Sequence, residues 1–308
     1  MISVIIPTFG RPRQLQMAIE SVRGQSRFDD LVGEIIVVDD GSREALQIKE
    51  GAKLRVIRHA ENRGPAAARN TGCRAAAHDF LAFLDSDDVW LPDKLAVQYA
   101  EAMALGSRED LARTGFVCSY VYKSRSVNGL EVRTPVGASS TAEFLRGCWT
   151  CSGSTLMVHR SAYDRVGHLD EGLRRLEDFD WFIRFGRQGG RLQVCDTVGS
   201  LIRPSYSQDL ADVRQSAQGL IDRHVRLGSP DRLPARERRL LMAYLNLELG
   251  VADLIAGRRL SAAAHFGLSL FERPRLSAQV DRLWRTGLPV PAEAEQLHAR
   301  MVEQAKGA

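Results

Sequence analysis

The sequence has no run of 18 apolar residues, so no segment reads as a membrane-spanning helix. The opening apolar run in "MISVIIPTFGRP" is too short for a signal h-region, and no basic segment precedes it. A soluble, cytoplasmic protein is the expectation, with peripheral association on the cytoplasmic face of a membrane left open through the Arg-rich tail. The net charge is only +4 over 308 residues, and no basic tract carries interleaved aromatics, so nucleic acid is not expected as a partner. Cysteine is scarce and odd in number: five residues, loosely spaced, exclude a disulfide framework. Cys148-Trp-Thr-Cys151 is a lone C-x-x-C, whereas zinc would want a second pair. Reduced, partly buried thiols are expected. There is no G-x-x-x-x-G-K-[ST], no G-x-G-x-x-G after the first strand and no G-x-S-x-G. P-loop, dinucleotide and nucleophile-elbow chemistries are thereby excluded. No histidine has metal spacing.

What is there alternates. "ISVIIPTF" (2–9), "GEIIVVDDGS" (33–42), "KLRVIRHAEN" (53–62) and "DFLAFLDSDD" (79–88) read as strands. "QLQMAIESVRGQ" (14–25), "GPAAARNTGCRAAA" (64–77) and "LPDKLAVQYAEAMAL" (91–105) read as helices, two with proline in the first turn. That order predicts an α/β fold with a mainly parallel sheet covered by helices. Right-handed crossovers then gather the polar strand ends on one rim, where open α/β sheets bind ligands. The middle third is less regular: a strand over 115–124, a Gly/Ser/Cys loop from 147, a helix from about 176 and one or two strands over 191–205. Residues 236–271 have helical spacing broken at Gly257 and predict a helical hairpin.

Four clusters carry chemistry, three of them on that rim. Asp85-Ser86-Asp87-Asp88 either grips a hard divalent cation through oxygen or caps the next helix as a solvated loop. Asp39 and Asp40, beside Gly41, suit the imide of a pyrimidine base or ribose hydroxyls, or else form an Asx-turn. Arg11 and Arg69 suit phosphates, because the guanidinium fork bonds two oxygens. Glu177 and Asp178 open an apolar helix, where they either answer the helix dipole or supply a general base.

Taken in order, "VIIPTFGR" (4–11), "EIIVVDDGS" (34–42), "NRGPAAARNTG" (62–72), "FLAFLDSDD" (80–88) and "VGHLDEGLRRLEDFDWFIR" (166–184) resemble family 2 glycosyltransferases of the GT-A fold. The resemblance covers residues 1–207 and leaves 208–308 as a helical C-terminal region. It implies a metal-dependent, inverting transfer from a nucleotide-sugar donor, UDP-linked in the first instance, in cell-surface polysaccharide or glycolipid synthesis. It places Pro7, Thr8, Arg11, Asp39, Asp40, Arg69 and Asp85 around the nucleotide. Asp87 takes Mn²⁺ or Mg²⁺, and Asp178 is the base. Glu177, Asp180, Trp181 and Arg203 position acceptor or loop. A glycan or glycolipid acceptor follows, and oligomerisation stays open. The His that many relatives carry after the base helix is missing from "LIRPSYSQ" (201–208), where Arg203 or Ser207 could substitute. The alternatives are a haloacid dehalogenase-type phosphatase, read from "DSDDV" (85–89) although that signature belongs on a first strand, a catalytically silent nucleotide-sugar binding module, and a sugar-1-phosphate nucleotidyltransferase, for which "PTFGRPRQ" is a poor loop.

Overall fold

Seven consecutive buried residues, Ile2–Thr8, make β1 a central strand, covered on both faces. This explains why it reads as an unbroken apolar run rather than an alternation. The computed structural model describes residues 1–48, 51–124, 129–203, 209–273 and 283–306. β1 lies between β2 (Val32–Asp39) and β4 (Phe80–Phe83), parallel to both, and β3 (Leu54–Arg58) lies parallel beyond β2. Helix α1 (Pro12–Arg23) links β1 to β2, and α2 (Pro65–Ala75) links β3 to β4, each with proline at its start. Gly72 lets α2 sit directly on Ile5 of β1.

Beyond β4 the pairing changes. β5 (Val89–Trp90) and α3 (Lys94–Ala104) precede the hairpin of β6 (Thr114–Ser124) and β7 (Gly129–Pro135). β8 (Met157–His159) inserts antiparallel between β4 and β6, and α4 (Glu177–Arg187) leads to β9 (Arg191–Ile202), parallel to β6 and antiparallel to β5. With β10 (Trp284–Arg285) on the edge, the main path runs β10-β7-β6-β8-β4-β1-β2-β3. The parallel pattern read from the sequence therefore describes β1–β4, while most later strands pair antiparallel.

Helices α5 (Leu210–His224), α6 (Ala235–Ile255), α7 (Arg259–Glu272) and α8 (Ala292–Lys306) follow. α6 and α7 are the expected hairpin, and Gly257 turns it at φ +76°. None of this stands apart from the sheet. Ala217, Leu220, Leu241 and Leu245 share a core with Leu145, Leu173, Phe179 and Ile183. Ala294 and Met301 of α8 return to Met17, Val89, Leu91 and Leu201. The described residues after 208 thus share their cores with residues before 204. Among the described residues no helix is long and apolar enough to cross a membrane. All five cysteines are free thiols, three of them buried.

Candidate active site

The rim forms where β1, β2 and β4 end. Thr8 and Asp39 are register partners at the ends of β1 and β2. Both are buried, and each holds a polar atom without a hydrogen bond: Thr8 Oγ1 and Asp39 Oδ2. Asp39 Oδ1 accepts from the Ser42 N–H at 3.0 Å, and Oδ2 has only an ion-pair contact with Arg58 Nη1 at 3.2 Å. Pro7 supplies buried backbone beside them. Asp40 is employed differently from the sequence expectation. Its Oδ1 binds His59 Nδ1 at 2.7 Å and the Arg63 N–H at 3.0 Å, and its Oδ2 accepts from the Gly64 N–H at 2.7 Å. Both oxygens are spent on the loop that enters α2, so Asp40 holds that loop instead of offering a free acceptor. Gly41, at φ +77°, lets residues 61 and 62 pass close by; a Cβ there would come within 2.5 Å of the Glu61 carbonyl carbon.

The acidic stretch after β4 is neutralised from three directions. Arg11 Nη1 meets Asp87 Oδ2 at 2.6 Å, and Arg69 Nη2 meets Asp85 Oδ1 at 2.6 Å. Asp88 accepts from the Ser154 hydroxyl and from the Arg203 N–H at 2.7 Å, tying the turn to the end of β9. Burial and the neighbouring Asp85 still hold the Asp87 carboxyl above its ordinary range, although Arg11 and Arg203 pull it down. Burial, Asp87 and Asp85 raise Asp88 further. Such a surplus of negative charge suits a cation. Among the described residues no group of three or more His, Cys, Asp and Glu converges as a metal site. A divalent ion here would have one or two carboxylates, Asp85 and Asp87, and would need its remaining ligands from phosphate oxygens.

Arg69 joins this rim to α4. Its Nη1 binds Glu177 at 2.6 Å, the same distance as its bond to Asp85. Burial alone would lower the guanidinium's pKa, yet the two carboxylates raise it above the usual value. Glu177 is pushed up by burial and by Asp178, against the pull of Arg69. Asp178 Oδ2 accepts from the Ser152 hydroxyl at 2.6 Å, and Cys148 Sγ approaches Oδ1 at 4.0 Å. Cys151 and Leu176, immediately before Ser152 and Glu177, adopt left-handed backbone at φ 49° and 61°. Strain thus sits on both sides of the Ser152–Asp178 pair, as is common where a site over-determines its geometry. Gly153 allows Asp85 to lie against its backbone; a Cβ would come 2.3 Å from Asp85 Oδ2. Between Asp178 and Arg69 opens a pocket floored by Phe83, Leu156, Tyr163 and Trp181.

Two expected positioning residues turn inward. Trp181 is buried against Tyr163 and Phe185 and donates to the Gly167 carbonyl at 3.0 Å. Asp180 is fully buried and binds Arg184 at 2.8 Å, Arg223 at 2.9 Å and His224 at 2.8 Å. Burial would raise its pKa; His224 and the two arginines outweigh this and hold it below the usual range. Asp180 therefore fastens α4 to α5, and through Arg184 to the carbonyls of Val166 and His168. Arg203 acts on the acidic turn through backbone and charge. Ser207 lies outside the described residues. Sequence reasoning passed over Ser152 and Ser154, visible only as a Ser/Gly loop, because their partners are 26 and 66 residues away.

With this geometry in place, the profile of glycosyl transferase family 2 matches residues 3–167. An uncharacterised glycosyltransferase of Haemophilus influenzae is 26% identical over 194 residues, 60% of this chain and 61% of that protein. The amylovoran biosynthesis glycosyltransferase AmsB of Erwinia amylovora is 30% identical over 201 residues, 61% of this chain and 64% of its own length. An uncharacterised glycosyltransferase of Rickettsia felis is 40% identical over 102 residues, 32% of this chain and 16% of its own length. The chain thus spans less than two thirds of these relatives. Among solved structures, Staphylococcus aureus TarS 1–349 in complex with UDP superposes with a TM-score of 0.55 at 17% identity, covering 91% of each chain. TarS 1–349 with UDP-GlcNAc gives 0.52 at 15%, covering 90% of this chain and 92% of that one. The shared architecture is the GT-A fold followed by C-terminal helices. The phosphatase alternative requires its acidic signature on the first strand, whereas here that signature follows β4. From its parallel half-sheet, its carboxylate–arginine rim and a profile match over more than half its length, the chain belongs to glycosyl transferase family 2.

Proposed function

We propose that this protein transfers a sugar from a nucleoside diphosphate donor, a UDP-sugar in the first instance, to a hydroxyl of a glycan or glycolipid acceptor, with inversion. The observation that carries the reading is Arg69. One guanidinium, 2.6 Å from Asp85 and 2.6 Å from Glu177, couples the nucleotide side of the rim to the helix bearing Asp178. Thr8 Oγ1 and Asp39 Oδ2, buried without a hydrogen bond, suit a base that carries an imide N–H, as uracil does. Arg11 and Arg69 would turn from their carboxylates to the diphosphate. Asp87, with Asp85 alongside, would hold Mn²⁺ or Mg²⁺, which offsets charge on the departing diphosphate when bound. Asp178, fixed by Ser152, accepts the proton of the acceptor hydroxyl as that oxygen attacks the anomeric carbon from the face opposite the leaving group. One base suffices, because no glycosyl-enzyme bond is formed.

Calorimetric titration of UDP with and without Mn²⁺ tests the reading. Binding should require the cation and vanish in Asp87→Ala. Asp178→Asn should bind UDP as the wild type does while transfer falls by roughly 10²-fold or more. Failure of UDP, dTDP and GDP alike to bind with any divalent cation would remove the donor assignment.

A further inference from the structure

Helix α7 carries an apolar stripe on its outer face. Leu260, Ala263, Ala264, Gly267, Leu268 and Phe271 are all exposed and recur at the spacing with which a helix normally meets a core. Leu260 is 89% exposed, Phe271 76% and Leu268 52%, and a Cβ built on Gly267 meets nothing within 4 Å. The helix cannot roll to hide them. Its other face is pinned to α6: Ser269 donates to the Ala243 carbonyl at 2.6 Å, His265 meets Asn246 at 3.0 Å, and Phe266 packs on Gly250. The stripe continues over the turn of the hairpin, where Leu254 and Ile255 are each more than half exposed.

The charge around this surface has one sign. Arg258 and Arg259 stand exposed at the turn, and neither side chain has a partner among the described residues. The nearby acid, Asp253, is fully buried and engaged by Arg214 at 3.1 Å and by Ser261. At the opposite end Glu272 is neutralised by Arg239 at 3.2 Å, and Arg273 lies near enough to Arg146 to be pulled down, after burial, by that like charge. A second copy pairing stripe to stripe would set arginine against arginine in the parallel arrangement. In the antiparallel one it would bring Arg258 and Arg259 to the end that already holds Arg239 and Arg273. An anionic lipid surface instead accepts both the apolar stripe and the arginines.

We propose that the outer face of α7 and the α6–α7 turn form a docking surface for an anionic lipid bilayer, with the helix lying in the plane of the headgroups. Fourteen residues give a contact about 21 Å long. The surface is rigidly connected to the site. Tyr244 of α6 packs its ring 4.7 Å from that of Phe179 and receives the Cys148 N–H at 3.2 Å, next to Asp178. Docking would therefore hold Asp178 at a set orientation to the lipid, where a lipid-borne hydroxyl is presented. The lipid contact itself stands whether or not the donor assignment does.

Flotation of the full chain with vesicles of phosphatidylcholine, alone or with phosphatidylglycerol, tests this. The wild type should bind the mixed vesicles at least about tenfold better than the neutral ones and lose that preference in high salt. The double variant Leu260→Glu/Phe271→Glu should lose about tenfold in binding with an unchanged circular dichroism spectrum and unchanged UDP titration, since both side chains are exposed. Arg258→Glu/Arg259→Glu should lose the preference for phosphatidylglycerol. A wild type that ignores mixed vesicles overturns the proposal. So does a stripe variant that binds them normally, or a wild-type dimer that the stripe variant converts to monomer.

Discussion

Lys94 is the one lysine buried completely among the described residues, and no carboxylate described here accompanies it. Its Nζ bonds Gln98 Oε1 at 2.7 Å and lies 4.1 Å from the centre of the Trp90 ring. Burial pulls the ammonium down to about 8 from an ordinary 10.5. Between those two pH values the unfolded chain binds more protons than the folded one, so this residue makes stability rise with pH across that window. Below pH 8 its full cost, on the order of 3 kcal/mol, is present. Lys94→Met should therefore be more stable than the wild type at neutral pH, by about 1 kcal/mol or more after loss of the Gln98 bond, and the difference should shrink towards pH 10.5. Urea denaturation of both proteins across that range checks the sign; a constant difference would refute it. The same scale shows where sequence reasoning stops. Asp39 and Asp40 are adjacent and chemically identical, yet one keeps an oxygen without a hydrogen bond and the other is consumed by His59, Arg63 and Gly64. Only the path of the loop after β3 separates them.

At the scale of elements, α2 packs closely on β1 in the parallel half. A Cβ on Gly72 would come 2.5 Å from Ile5 Cγ2. Gly72→Ala should cost about 1–3 kcal/mol by overpacking despite the better helix propensity of alanine. A thermal melt matching or exceeding the wild type would show that the helix can lift without penalty. This half was legible because β1, β2 and β4 are buried on both faces and each polar cluster falls where a strand ends. β7 and α5 were not. β7 is only partly buried, with intermediate residues at Gly129, Leu130 and Glu131 that break any clear alternation. α5 mixes Arg214, Gln215 and Gln218 into a sequence whose buried face, Val213, Ala217 and Leu220, is short. β8 has three residues, too few for periodicity to register.

Across the whole molecule, buried cores span the point where the motifs end. The sequence changes texture near residue 208, but Asp180 is satisfied by Arg223 and His224 from beyond that point, and α8 fills the core around Met17, Val89 and Leu201. Removing those partners leaves a buried carboxylate without two of its partners and an apolar trough open to water, changes worth about 3 kcal/mol or more for the loss of Arg223 alone. The fragment 1–207 should therefore lack the cooperative thermal transition of the full chain; a sharp melt near the full-length midpoint would establish it as an autonomous domain. Such partnerships between distant residues leave no local trace, so texture alone does not reveal the contacts that cross this boundary. Met17 and Met301 meet in one core although nearly the whole chain separates them. On a ribosome, the acidic turn and both rim arginines emerge well before α8, which packs around Met17, Val89 and Leu201. The nascent polypeptide therefore carries its charged rim before α8 is there to support it.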